Sequence, residues 1–107
     1  MQHIKDTNFE TEVLRSALPA LVVFHAAWSP TSELAVQVID DLQENFGNLV
    51  SVHGLDVDAN AMTPCQYAVE AVPAFFLFKE GRVIKKLGPG FTRSELQGLF
   101  ELAIADT

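Results

Sequence analysis

Apolar residues along this chain fall into short continuous runs and helically spaced stripes, separated by polar turns. Residues 21–24 (LVVF) and 74–78 (AFFLF) are continuous runs rich in β-branched and aromatic side chains, which is typical of strands buried on both faces. Residues 49–57 alternate weakly and predict a further strand. The turn sequence KEGR at 79–82 predicts an antiparallel hairpin into a strand over 83–87.

Four segments have the features of helices. Capping-box sequences at 7–10 (TNFE), 63–66 (TPCQ) and 92–95 (TRSE) predict where three of them start. Ser29 followed by Pro30 has the order of an N-cap and a first-turn proline, and it predicts the start of the fourth. The apolar stripe of that helix would run until Gly47 through Leu34, Ala35, Val38, Ile39, Leu42 and Phe46. The last helix would bury Leu96, Leu99, Phe100 and Ala103.

The predicted elements follow one another in the order αβαβαββα, with a further short strand near His3. Such alternation is typical of an α/β sandwich, in which a mainly parallel sheet carries helices on both faces. Since the chain has 107 residues and neither a linker nor a repeat, we expect a single domain over residues 1–107.

Charge and hydropathy limit the classes of partner. Fourteen acidic residues against seven basic ones give a net charge of −7, which opposes binding to the phosphates of nucleic acid. The longest apolar run, residues 17–28, is shorter than the roughly 20 residues that cross a bilayer. Residues 1–6 lack the basic start and apolar stretch of a signal peptide. We therefore expect a cytoplasmic protein that binds neither nucleic acid nor a membrane.

The single cysteine, Cys65, excludes an intramolecular disulfide and a cysteine zinc module. It falls at the second position of the helix predicted from 63–66, with Pro64 at the first, where the helix dipole could activate a regulatory thiol. A structural role for Cys65 is favoured. The spacing of the histidines and nearby aspartates matches no metal-ligand motif, so no metal and no cofactor are expected; these residues are His3, His25, His53, Asp56 and Asp58.

The segment after the first buried strand, FHAAWSPTS at 24–32, is where an open α/β fold gathers ligands, because a strand ends and a helix begins there. It resembles the active-site loop of the thioredoxin superfamily, aromatic-x-Ala-x-Trp-Cys-x-x-Cys. Phe24, Ala26 and Trp28 are in register with that signature, and Ser29 and Ser32 stand where the two cysteines belong. The resemblance covers nearly the whole chain.

The resemblance implies a three-layer sandwich with a central mixed sheet of four to five strands and four flanking helices. It places Val72-Pro73 at the family's cis-proline and Gly88 near the rim of the active site. It also implies a buried aspartate and a lysine that support the redox site, and those positions hold Val23 and Gly54. Both thiols and both supporting groups are thus missing, which favours native serines over serines introduced to disarm a redox site.

These departures predict a redox-inactive protein that binds a polypeptide through the former active-site face, as an adaptor, a chaperone-like protein or a regulatory subunit. The resemblance implies that this face consists of Trp28, Pro30, Thr31, Ala71, Val72, Pro73 and Gly88. An extended peptide could pair with the backbone near Val72.

Four alternatives stay open. The chain could be a disulfide oxidoreductase whose cysteines were replaced by serine, a monothiol protein acting through Cys65, or a vestigial fold. The fourth alternative is an enzyme in which Ser29 is the nucleophile and His25 is its base. No acidic group that would orient His25 is evident.

Overall fold

A five-stranded mixed sheet forms the middle layer of the computed structural model, which describes residues 1–105. The strands lie in the order β1-β3-β2-β4-β5. β3 is parallel to β1 and β2, whereas β4 is antiparallel to β2 and β5. Their bounds are β1 Gln2–Ile4, β2 Ala20–His25, β3 Ser51–Asp56, β4 Ala74–Lys79 and β5 Arg82–Leu87. The short strand expected near His3 and the terminal antiparallel hairpin are both confirmed.

Helices pack on both faces of this sheet and complete the predicted three-layer sandwich. One face is covered by α1 (Pro30–Gln43) and α3 (Arg93–Ile104), and the other by a π-helix (Glu10–Leu14) and the segment that includes α2 (Met62–Gln66). The four flanking helices implied by the resemblance are therefore present, and a 3₁₀ turn at Gly47–Leu49 follows α1. Within residues 1–105, none of the helices is long and apolar enough to cross a membrane.

β2 separates two apolar cores, as its continuous apolar sequence predicts. Leu21 and Val23 pack into the core beneath α1 and α3, whereas Val22 and Phe24 pack into the opposite core. All four side chains are fully buried. Each such side chain contributes roughly 1.5–3 kcal/mol of transfer free energy, so β2 is the strand on which both layers depend.

The start of α1 is confirmed, but its apolar stripe is narrower than predicted. The buried apolar side chains are Ala35, Ile39 and Leu42, with Val38 and Phe46 partly buried against the same core, whereas Leu34 is 54% exposed. The helix also ends at Gln43, before the predicted stop at Gly47, because a turn and the 3₁₀ segment intervene.

Two of the three predicted capping boxes differ from the structure. The box of Thr92 and Glu95 is present, with both reciprocal side-chain hydrogen bonds. The box predicted at 7–10 is wrong, because the helix begins at Glu10 without a side-chain cap. Asn8 is instead part of a turn, in which its Oδ1 accepts a hydrogen bond from the backbone N–H of Lys5 at 2.8 Å.

The box predicted at 63–66 is also wrong, since α2 begins at Met62 and its cap comes from a distant residue. The Asp6 carboxylate accepts hydrogen bonds from the N–H groups of Met62 (3.1 Å) and Thr63 (2.8 Å) and from the Thr63 hydroxyl (2.6 Å). Burial alone would raise the pKa of Asp6, but these bonds hold the pKa below its ordinary value. The capping carboxylate therefore ties the chain start to α2.

Candidate functional site

The sheet register brings the predicted site residues to one end of the molecule. Phe24 of β2 pairs with Ala74 of β4, so the loop that leaves β2 lies beside the segment that enters β4. Phe75 pairs with Leu87, so β5 ends on the same side. The residues placed together at this end are Trp28, Pro30, Thr31, Ala71, Val72, Pro73 and Gly88. We call this end of the molecule the loop face.

Trp28 is the most prominent side chain of the loop face. It is 68% exposed, while Ala26 two residues earlier is buried. The N–H of Ser29 donates to the carbonyl of Ala26 at 3.1 Å, which closes a tight turn between them. Pro30 and Thr31, the next residues, are also exposed. The turn therefore presents an indole to solvent, where its large apolar surface and its N–H are free to engage a partner.

The two serines at the cysteine positions are turned into the protein. Ser29 is the N-cap of α1, and its Oγ accepts a hydrogen bond from the N–H of Ser32 at 3.1 Å. Ser32 is fully buried, and its Oγ has no hydrogen-bond partner among the described residues. A hydroxyl has no redox chemistry and is far less acidic than a thiol. The Ser29 side chain therefore caps the helix, the Ser32 side chain is buried, and neither provides a thiolate.

The residues before β4 differ in how far they reach the surface. Ala71 is exposed and Val72 half-buried, whereas Pro73, which the resemblance places on the partner-binding face, is buried. The Val72-Pro73 peptide bond is cis, as the resemblance implies. Among the backbone hydrogen bonds of residues 1–105, none is donated by the N–H of Ala71 or Val72. These groups are therefore available for pairing with an extended chain.

The positions that the resemblance assigns to a buried charge pair lie side by side and carry no charge. Val23 of β2 pairs with Gly54 of β3, and Val23 is fully buried. Neither residue can hold or move a proton. The aspartate and lysine that the resemblance implies are thus absent. An apolar side chain stands at one position and a glycine at the other.

His25 is placed near the loop but is not paired with Ser29. Its Nε2 is buried and has no hydrogen-bond partner among residues 1–105. Burial lowers the pKa of His25, and nearby His3 acts in the same direction, while Asp56 opposes them. The imidazole is therefore neutral near pH 7, and the structure supplies no base contact that would activate Ser29.

Cys65 lies on an exposed part of α2. It is the fourth residue of that helix, not the second as predicted, because the helix begins at Met62. Its thiol is therefore not at the first-turn position on which the activation argument rested.

The sheet order, the Trp-containing loop and the capped helix that follows it define an α/β protein of the thioredoxin type. The family model described as Thioredoxin matches residues 1–101. The chain is 35% identical over 82 residues to a thioredoxin of Haemophilus influenzae, covering 77% of each protein. It is 32% identical over 81 residues to a thioredoxin of Acidithiobacillus ferridurans, covering 76% of this chain and 75% of that one. The chain belongs to the thioredoxin family.

The buried histidine His53 makes the stability depend on pH. His53 is 1% exposed, and burial lowers its pKa, against the attraction of Glu12 and with the help of the terminal ammonium. Below the ordinary value of 6.5, the unfolded chain takes up a proton that the folded chain does not, so the folded state loses stability as the pH falls.

We therefore expect the urea midpoint to fall between pH 7.5 and pH 5.5, and to fall less in a His53→Gln variant. A separate His25→Gln variant should also reduce the pH dependence, because the pKa of His25 is lowered as well. Urea unfolding followed by circular dichroism at each pH measures both effects. Equal pH slopes in the parent chain and the two variants would contradict the assignment.

Proposed function

We propose that this thioredoxin-family protein is redox-inactive and binds an extended polypeptide non-covalently through the loop face. Its role would be that of an adaptor, a chaperone-like protein or a regulatory subunit. The observation that carries the proposal is Trp28, a 68% exposed indole at the same end of the molecule as the N–H groups of Ala71 and Val72, which donate no backbone hydrogen bond within residues 1–105. Large exposed aromatics are frequent anchors of protein interfaces.

The chemistry left at the loop face supports binding over catalysis. Ser29 and Ser32 are engaged in the helix start or buried, and His25 contacts neither of them through a hydrogen bond in the described residues. A strand-like peptide would gain main-chain hydrogen bonds at Ala71 and Val72, while Trp28 would cover one of its side chains.

The experiment uses extended peptides selected from a random library for binding to the purified protein. Since Trp28 is the only tryptophan, its fluorescence reports contact with a bound peptide directly. Trp28→Ala should weaken binding, measured by calorimetry, at least about tenfold, as expected for an aromatic anchor. Val72→Asp should weaken it as well, because a carboxylate beside the donors repels peptide carbonyls.

Met62→Ala is the matched control, since Met62 is 75% exposed and lies on α2. It should leave the affinity unchanged. A peptide whose affinity responds to Met62→Ala but to neither Trp28→Ala nor Val72→Asp would place the interface elsewhere and refute the proposal.

The relatives' names favour a second candidate, a disulfide oxidoreductase whose cysteines were replaced by serine. An insulin-reduction assay on the chain and on a Ser29→Cys/Ser32→Cys variant separates the two. We expect no turnover by the chain, and only weak turnover by the variant, because Val23 and Gly54 provide no proton relay. Turnover by the unaltered chain would refute the redox-inactive proposal.

A further inference from the structure

Three potential metal donors surround one point above Gly54 of β3. A Cβ at Gly54 would lie 2.9 Å from Met1 Sδ, 3.2 Å from His25 Nε2 and 3.3 Å from His3 Nδ1. A thioether and two imidazole nitrogens therefore converge where a side chain is missing.

The sheet register explains this convergence. His3 of β1 pairs with Gly54, and Val23, two residues before His25, pairs with Gly54 from the other side. Side chains two residues apart share one face of a strand. Met1, His3 and His25 thus reach the same face of the sheet from the two neighbouring strands, and the glycine between them leaves the space open.

The state of His25 suits a metal ligand. Its Nε2 is buried and unpartnered within residues 1–105, which is unfavourable for a polar atom that has left water. A bound ion would satisfy this atom.

We propose that Met1 Sδ, His3 Nδ1 and His25 Nε2 form a binding site for Cu(I). Thioether sulfur selects soft Cu(I), and imidazole is a good second ligand for it. Among residues 1–105, no three His, Cys, Asp or Glu side chains are grouped so as to hold a metal ion. The site therefore depends on the thioether, which is why His and Asp spacing alone predicts no metal.

A cleft borders the two histidines of this site. It has a volume of about 340 Å³ and lies between the sheet and the first turns of α1, with His3, His25, Glu33, Gln37 and Asp56 in its walls. Two carboxylates in the walls favour the entry of a cation. The site is separate from the peptide-binding surface proposed above, so either can fail without the other.

Other sulfur atoms have to be removed before the site is tested. Met62 and Cys65 lie together on the exposed side of α2 and offer sulfur atoms that could compete for Cu(I). The chain has two methionines and one cysteine, so a Cys65→Ser/Met62→Leu background retains Met1 as its only sulfur. Cu(I) is used as the probe because it is the soft copper ion that thioether sulfur selects.

The experiment is an anaerobic Cu(I) titration of this background protein against a chromogenic Cu(I) chelator, with X-ray absorption of the loaded form. We expect one Cu(I) per chain, with sulfur and nitrogen in its coordination shell. His25→Gln should lower the affinity at least about tenfold, since it removes a direct ligand. Loss of Cu(I) binding in the background protein, or a shell without sulfur, would overturn the proposal.

Gly54→Ala tests the site without removing a donor. Its methyl group would displace Met1 Sδ and occupy the point between the two rings, so we again expect at least about a tenfold loss. Gly98→Ala is the matched control, because a Cβ there meets no atom within 4 Å. Circular dichroism establishes that each variant is folded. Equal Cu(I) affinity in Gly54→Ala, His25→Gln and Gly98→Ala would refute the site.

Discussion

Val23→Asp is expected to lower the free energy of unfolding by about 4 kcal/mol at pH 7, because it buries an unpaired carboxylate. Val23 is fully buried in the core beneath α1 and α3. Its strand neighbour Gly54 has no side chain that could supply a positive charge, and His25 is held neutral by burial. The variant thus restores half of the pair that the resemblance implies, without its partner.

Val23→Asn is the matched control, because amide and carboxyl have nearly the same shape. The asparagine variant should lose about 2 kcal/mol, the cost of burying a polar group with incomplete hydrogen bonding. Burial raises the pKa of a carboxyl, so Val23→Asp should approach Val23→Asn near pH 4 and fall below it as the pH rises. Urea unfolding at pH 4, 6 and 8 measures the gap, and a constant gap would contradict this account.

Phe78→Ala is expected to destabilise the fold by about 3–5 kcal/mol, the usual cost of deleting a buried phenyl group. Phe78 is 1% exposed and contacts three other rings. Its centroid lies 5.7 Å from Phe9, 5.5 Å from Tyr67 and 6.3 Å from Phe76. The cavity would therefore open between β4 and the layer that holds the π-helix and the segment after α2.

The control for this cavity is Leu34→Ala, which removes an apolar side chain that is 54% exposed. Its effect should stay within about 0.5 kcal/mol, as for other surface substitutions. Thermal and urea unfolding of both variants give the comparison. A Phe78→Ala variant no less stable than Leu34→Ala would mean that this layer contributes little to the fold.

Strong local patterns predicted most of this fold. The continuous apolar runs of β2 and β4, and the cap of α1 at Ser29, depend on neighbouring residues, and the structure contains them as expected. The cap of α2 could not be predicted in this way, because Asp6 is 57 residues from Thr63. At 7–10 the same residues could form either a capping box or a turn at Asn8, and the structure contains the turn.

Only the positions of the candidate site residues along the chain follow from local sequence. Trp28 lies between a strand end and a helix start, where an α/β fold exposes its loops, and it is 68% exposed. The burial of Pro73 and the convergence of Met1, His3 and His25 were not predictable, because both depend on which strands are neighbours. Thioether sulfur is also absent from the usual lists of metal-ligand motifs, so no spacing rule pointed to Met1.

The position of β5 at the border of the sheet bears on self-association. A border strand has unpaired backbone groups that can template pairing with another molecule. β5 carries exposed Arg82, Lys85 and Lys86, and its pairing with β4 is irregular near Leu77 and Phe78. Like charges on two copies of β5 repel each other, and an irregular strand edge pairs poorly with another strand. Both features of β5 therefore oppose edge-to-edge aggregation.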